Sequence, residues 1–133
     1  MRELPVNLPE LRRLYQDAGG EAGLQVILDD FYQRMSQDIL IGFFFDGKDL
    51  SKIARMQKEF LMRAMGARPH YAGKPPAQAH DELAPILKGH FDRRLRILEA
   101  TLRDHGLSED DIRIWIRFEE AFRAGIQRDP GHS

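Results

Sequence analysis

His80, Tyr32 and Gln57 are the residues of this chain whose types and settings could do chemistry. His80 sits on a short segment after an irregular stretch, residues 67–76, that holds three prolines and Gly73. A neutral imidazole is a common metal ligand, so an isolated histidine behind such a loop is a candidate for binding one metal. On its own a histidine on a short helix is more simply a surface or capping residue. His90, His105 and His132 are weaker candidates, and His90 precedes Phe91 at a helix start, where a structural or solvent role is expected. The chain offers no His-x-x-x-His or Glu-x-x-His spacing for a conventional zinc or di-iron site.

Tyr32 and Gln57 each fall on the apolar stripe of a helix. A buried hydroxyl or amide needs a partner, and partnerless burial costs roughly 1–3 kcal/mol. The simple reading is that the two bond each other or a backbone carbonyl in an ordinary core. The functional reading is that they face a common cavity and donate hydrogen bonds to a bound diatomic. Uncharged donors can steady negative charge on such a ligand in a dry pocket without a large desolvation cost. Beside them in sequence stands Phe43-Phe44-Phe45. Three adjacent aromatics cannot all point inward from one helix face. Core packing with one exposed ring accounts for them, and stacking of one ring on a flat cofactor is the functional alternative.

The elements that must position these residues are helical. The first helix is expected from about Leu8 to Ala18, ended by Gly19-Gly20, and the second from about Glu21 to Gln37. In the second, Leu24, Ile27, Leu28, Phe31, Tyr32 and Met35 recur at steps of three and four and make one face apolar. Leu40 to Gly47 is short, apolar and bounded by glycines, which suggests a tight corner buried against something large. Asp49 can cap a third helix lasting to about Met65, with Leu50, Ile53, Met56, Phe60, Leu61, Ala64 and Met65 as its stripe and Gln57 within it. A short helical piece is expected around Ala77 to Leu83, limited by Pro85. A long helix follows from about Gly89 to His105, with Phe91, Leu95, Leu98 and Leu102 inward. Ser108-Glu109-Asp110-Asp111 resembles a capping box. The last helix carries Ile112, Trp115, Ile116, Phe122 and Ile126 on one face.

With 133 residues the chain suits one domain, residues 1–133, with about ten N-terminal and five C-terminal residues peripheral. An apolar fraction of 42% and a charged fraction of 31% place it among soluble globular chains. There are no cysteines, which excludes disulfides, zinc–thiolate sites, iron–sulfur clusters and thiol nucleophiles. Net charge is −1 with acids and bases interleaved, so no footprint for nucleic acid or an anionic membrane stands out. No apolar run approaches the roughly 20 residues of a membrane span, and Met1 to Pro9 lacks the apolar stretch of a secretory signal, so a cytoplasmic location is expected. Nucleophile-elbow, phosphate-loop and dinucleotide motifs are all missing.

Gly19-Gly20, Asp29-Asp30-Phe31-Tyr32, Phe44-Phe45-Asp46-Gly47, Gln57 with Phe60, Tyr71-Ala72-Gly73, Ala79-His80 and His90-Phe91-Asp92 occur in an ordered set that resembles the truncated haemoglobins, most of all their first group. The resemblance spans roughly Leu14 to Ile126. It implies an all-α, globin-like fold, the truncated two-over-two helical sandwich, around one haem b. It implies His80 as the iron ligand, Tyr32 and Gln57 as the donors to ligand, and Phe45 as the ring that stacks on the porphyrin. Ile53, Phe60 and Leu61 match wall positions, Phe31 a neighbour of the tyrosine, and Tyr71 and Lys74 lie in the loop that passes near the haem edge, where Lys74 could pair with a propionate.

Three departures from the family pattern stand out. The second Gly-Gly is here Gly66-Ala67, and the stretch Asp81 to Gly89 holds an extra residue relative to some members. Arg94 falls where an inward apolar residue is expected, so either the helix is rotated or Arg94 reaches a propionate or solvent.

The function implied is reversible dioxygen binding at ferrous iron, supporting nitric oxide dioxygenation to nitrate with a separate reductase. Other small diatomic ligands would fit the same pocket. The alternatives are a dioxygen or redox sensor acting through a protein partner, a haem-free helical interaction module, and, within the haem class, peroxidase chemistry.

Overall fold

The computed structural model describes residues 8–67 and 88–126, with side chains described over 9–67 and 89–121. Tyr71, Lys74, His80 and the expected short helix from Ala77 to Leu83 therefore lie outside the described residues. Within them every regular element is helical: α1 (Leu8–Asp17), α2 (Gly20–Ser36), a short 3-10 turn (Gly42–Phe45), α3 (Leu50–Ala64), α4 (Lys88–Asp104) and α5 (Glu109–Ile126).

The turn between α1 and α2 is made by Gly19, whose φ of 98° is left-handed and strained for any residue with a Cβ. One turn later, a Cβ on Gly23 would lie 1.9 Å from the Ala18 carbonyl oxygen, so the bare α-carbon is what lets α1 run so close against the start of α2. At α3 the Asp49 carboxylate accepts from the Lys52 N–H at 3.2 Å and satisfies one of the donors a helix start leaves open. At α5 the Ser108 hydroxyl accepts from the Asp111 N–H at 3.1 Å, one half of the expected capping box.

The helices form two packed pairs. α2 lies on α3, α4 lies on α5, and α2 also packs on α4, so the pairs stack as two over two, with α1 against α2, α3 and α5. The core between them is built from the stripe on α2, where Leu24, Ile27, Leu28, Phe31, Tyr32 and Met35 are all buried as their spacing predicts, and from Phe91, Leu95, Leu98 and Leu102 on α4.

Two faces differ from the sequence expectation. On α3 the buried residues are Ala54, Lys58, Leu61 and Met62, with Met65 buried just after its end, whereas Leu50, Ile53, Met56, Gln57, Phe60 and Ala64 are half-buried. Hydrophobicity alone picks out the wider apolar stripe, but α2 selects which side of it is pressed shut. Lys58 is accepted on that side because its apolar stem lies inward while its ammonium meets Glu21 at 3.0 Å. On α5 the buried set is Asp111, Ile112, Ile114, Trp115, Phe118 and Glu119, with Ile116 only half-buried. That face is turned by contact with both α4 and α1, and a single-face periodicity cannot anticipate two partners. The side chains of Phe122 and Ile126 lie outside the described residues.

Among the described residues no helix is long and apolar enough to cross a membrane.

Candidate functional site

Tyr32 is in the middle of α2, where a helical period from Leu24 and Leu28 turns it inward. Its side chain is fully buried, and among the described residues its hydroxyl has no hydrogen-bond partner. Phe31 lies tilted beside it with ring centroids 5.3 Å apart, and Phe45 meets it edge-on at 5.9 Å. A buried, unpartnered phenol walled by aromatic rings is unusual, since nearly all buried polar groups are satisfied.

Phe45 is delivered by the corner after α2. Of the three consecutive phenylalanines, Phe44 is buried, Phe45 is half-buried against the core, and Phe43 is 52% exposed. One exposed ring was the sequence expectation. The corner is more open than expected, because Ile39 and Leu40 are exposed. It is held by Asp38, which the sequence reading did not single out. One Asp38 oxygen accepts from the backbone N–H of Leu40 and Ile41, and the other from Arg93 on α4 at 2.9 and 2.6 Å. The Arg93 guanidinium holds the Asp38 carboxyl below the usual carboxylate range. His90 packs its ring edge-on to Phe43 and Phe44 at 5.7 and 5.1 Å, in keeping with the structural role expected for it.

The remaining candidate positions lie on α3. Ile53, Gln57 and Leu61 are spaced by four residues and so share one strip of that helix, with Phe60 beside them. Leu61 is buried, Ile53 and Phe60 pack half-buried against the core, and Gln57 is half-buried. α3 packs directly on α2, the helix that carries Phe31 and Tyr32. Phe60 also approaches Phe118 of α5 at 6.2 Å.

Arg94 gives a third outcome beyond the two its sequence position suggested. Helix α4 keeps its expected register, since Phe91, Leu95 and Leu98 are buried, and Arg94 is nevertheless only 6% exposed. It is shut off from solvent. Its guanidinium donates to Glu119 of α5 at 2.9 Å and lies 5.0 Å over the Phe31 ring and 6.0 Å from the Tyr32 ring centre. The second Glu119 oxygen accepts from the Trp115 indole N–H at 3.3 Å. A charge is tolerated there because its counter-charge is buried with it.

The electrostatics follow from this placement. Burial raises the Tyr32 phenol pKa, the Arg94 charge works against that rise, and Glu119 adds to it, so Tyr32 is a neutral phenol. Burial opposes the charge on Arg94, but the Glu119 carboxylate more than offsets this and keeps the guanidinium protonated.

Of the sequence-predicted site residues, the structure therefore brings Phe31, Tyr32 and Phe45 together and sets Ile53, Gln57, Phe60 and Leu61 on the adjoining helix. Tyr71, Lys74 and His80 lie outside the described residues. Sequence reasoning missed Glu119 as Arg94's partner. The signal was present, because Glu119 stands one turn from Trp115 on the inward side of α5, opposite a cation on the inward side of α4. Among the described residues no group of three or more His, Cys, Asp or Glu side chains could hold a metal ion. What the arrangement offers is a buried aromatic setting around one hydroxyl that has no hydrogen-bond partner among the described residues.

Known proteins share this architecture. A family model described as bacterial-like globin matches residues 13–127. The chain is 39% identical over 100 residues to the group 1 truncated hemoglobin GlbN of Synechocystis sp., covering 73% of this chain and 81% of that protein. It is 29% identical over 99 residues to the group 1 truncated hemoglobin of Tetrahymena thermophila, covering 74% and 81%. Among solved structures, the 2/2 hemoglobin of Synechococcus sp., in the cyanomet state and with covalently attached heme, matches with a TM-score of 0.78 at 26% identity over 87% of this chain and 98% of that one. The Fe(III) truncated hemoglobin of Tetrahymena pyriformis matches with a TM-score of 0.76 at 27% identity, over 85% and 96%. That protein has also been solved with a tyrosine replaced by phenylalanine and with glutamines replaced by glutamate.

Proposed function

The chain belongs to the bacterial-like globins, with group 1 truncated haemoglobins among its relatives, and on that premise we propose that it is a haem protein binding dioxygen reversibly, with Tyr32 as donor to the ligand. The observation that carries this reading is the buried Tyr32 hydroxyl without a partner among the described residues. A fold that needed only a core would place phenylalanine there. An unpartnered donor between Phe31 and Phe45 suits a pocket whose polar partner arrives with the ligand.

In this reading His80 holds the iron of haem b, Phe45 stacks on the porphyrin, and Ile53, Phe60 and Leu61 line the wall on the α3 side. Tyr71 and Lys74 lie near the haem edge, with Lys74 free to meet a propionate. The haem, when bound, supplies a ferrous iron able to take dioxygen, nitric oxide or other diatomics, and the electron transfer that dioxygenation needs.

The chain's own residues do the rest. Tyr32 donates its O–H to the ligand, and as a neutral phenol it does so without placing a charge in the pocket. Gln57 offers a second uncharged donor from α3. Phe31 and Phe45 keep water from the phenol, so the hydrogen bond acts in a medium of low dielectric, where it is stronger than in water.

A donor that steadies negative charge on dioxygen suits nitric oxide dioxygenation. Dioxygen and nitric oxide combine with one electron, supplied by a separate reductase, to give nitrate. The supporting observation is the pairing of Tyr32 and Gln57 positions on adjoining helices of a small globin.

The test is the visible absorption spectrum of the purified chain, ferric, ferrous, and ferrous under carbon monoxide. A Soret band that shifts on reduction and again with carbon monoxide supports the reading. No Soret band after haem is supplied overturns it and leaves a haem-free helical module. Nitrate formation from nitric oxide under steady reduction then tests the dioxygenase step.

A further inference from the structure

We propose that Arg94 is a positioning residue that fixes the direction of the Tyr32 hydroxyl, making the phenol an obligate donor into the pocket and biasing the site toward diatomic ligands that carry negative charge. This deepens the haem reading and rests on it for the identity of the ligand.

The geometry narrows the choices. Two polar atoms are buried without partners on neighbouring side chains, the Tyr32 hydroxyl and the Arg94 Nε. The guanidinium lies 6.0 Å from the centre of the Tyr32 ring, closer still to Phe31, and is held there from behind. One terminal nitrogen is committed to Glu119 at 2.9 Å and the other turns toward the Met35 sulfur at 3.9 Å. A guanidinium has only donors, whereas a phenol can both donate and accept. The two orphans can satisfy each other in one sense only, with Arg94 Nε donating and the phenol oxygen accepting. The Tyr32 proton must then point away from Arg94. It cannot turn to Glu119 without competition, because both carboxylate oxygens already accept, from Arg94 and from the Trp115 indole. The proton is left to turn away from Arg94 and Glu119, toward a partner that arrives with the ligand.

The cation acts in the same sense. A buried positive charge next to the phenol polarises its O–H and strengthens donation, and it favours negative charge on whatever the phenol bonds. A neutral, apolar ligand such as carbon monoxide gains little from this, whereas dioxygen polarised toward superoxide gains more.

The test compares the parent, Arg94→Lys, Arg94→Met and the pair Arg94→Met with Glu119→Gln, each as the full chain. The last variant removes both charges together and keeps an acceptor for Trp115, so it remains informative where the single change does not fold. The first readout is the Tyr32 phenol band in ultraviolet resonance Raman spectra, isolated as the difference from Tyr32→Phe and recorded without haem. Loss of Arg94 is expected to shift this band, and lysine to return it toward the parent position. The second readout is the carbon monoxide stretch of the haem-loaded ferrous protein. It is expected to move in the Met variants toward the value of Tyr32→Phe, or to split as the hydroxyl is freed to rotate, and to stay near the parent in Arg94→Lys.

An unshifted phenol band in a folded Met variant overturns the proposal whether or not haem binds. A shifted band together with no Soret band in any variant keeps the Arg94 role and overturns the haem reading instead. A shifted band with an unmoved carbon monoxide stretch overturns the claim that Arg94 acts on the ligand.

Discussion

Arg94 and Glu119 form a buried ion pair, 2.9 Å between guanidinium and carboxylate, that ties α4 to α5 directly behind Tyr32. Both side chains are nearly inaccessible to water. The pair therefore joins the packing of the second helix layer to the one buried phenol of the candidate pocket.

Removing either partner alone should be costly, because the survivor stays buried without a counter-charge. Arg94→Met or Glu119→Leu is expected to lower unfolding stability by about 3–5 kcal/mol, whereas replacing both with apolar residues should be near neutral. Urea unfolding of the two singles and the double, read as a thermodynamic cycle, checks this. Singles that cost no more than the double show that the pair is not coupled.

Tyr32→Phe should separate function from folding. In the haem-free chain the hydroxyl's only neighbouring donor among the described residues is Arg94 Nε, so the change is expected to cost at most roughly 1–3 kcal/mol of stability. In the haem-loaded protein it should speed dioxygen release roughly tenfold or more, since a hydrogen bond involving a charged group contributes about 1.5–3 kcal/mol. Stopped-flow dissociation gives the number, and an unaltered off-rate removes Tyr32 from the donor role.

His80→Ala tests the ligand to iron. The substituted chain is expected to lose its Soret band or show a greatly weakened one, with helical circular dichroism retained. A normal band with a normal carbon monoxide response would assign the iron to another residue.

Asp111 predicts a pH dependence of stability. Its carboxyl is buried at the start of α5 facing Asp17, and burial, then the Asp17 carboxyl, push its pKa up to about 6 from the ordinary 3.8. The folded state thus binds more protons than the unfolded state between those values, so this group's contribution to stability is present at low pH and declines as pH rises from 3.8 to about 6. Asp111→Asn is expected to flatten that decline and to stabilise the protein at pH values above it. Urea midpoints measured across the window decide the matter, and parallel curves for parent and variant would refute the assignment.

Gly23→Ala should destabilise through a backbone clash, since the new Cβ would lie 1.9 Å from the Ala18 carbonyl oxygen. The α1–α2 junction would have to open, at roughly 1–3 kcal/mol or more for an overpacked site. A melting temperature equal to the parent's would show that the junction yields freely.

Much of this protein is legible without coordinates. Periodicity on α2 identifies its inward residues because that helix buries a continuous apolar stripe, on α4 it finds Phe91, Leu95, Leu98 and Leu102 but not the buried Arg94 and Thr101, and glycines at 19, 20, 66 and 106 mark where helices must stop. That Tyr32 and Phe45 meet is expected from the order of a few residue types, since each is tied to a fixed position on an element and a corner. Tertiary structure decided what a one-dimensional pattern cannot hold. It selected which side of the α3 stripe faces α2, admitting Lys58 and leaving Phe60 half-buried. It also turned Arg94 from a misplaced cation into half of a buried pair, because Glu119 lies 25 residues away and meets it only when α5 folds back on α4. Local sequence sets each helix's own faces, but burial and charge pairing belong to the space between helices.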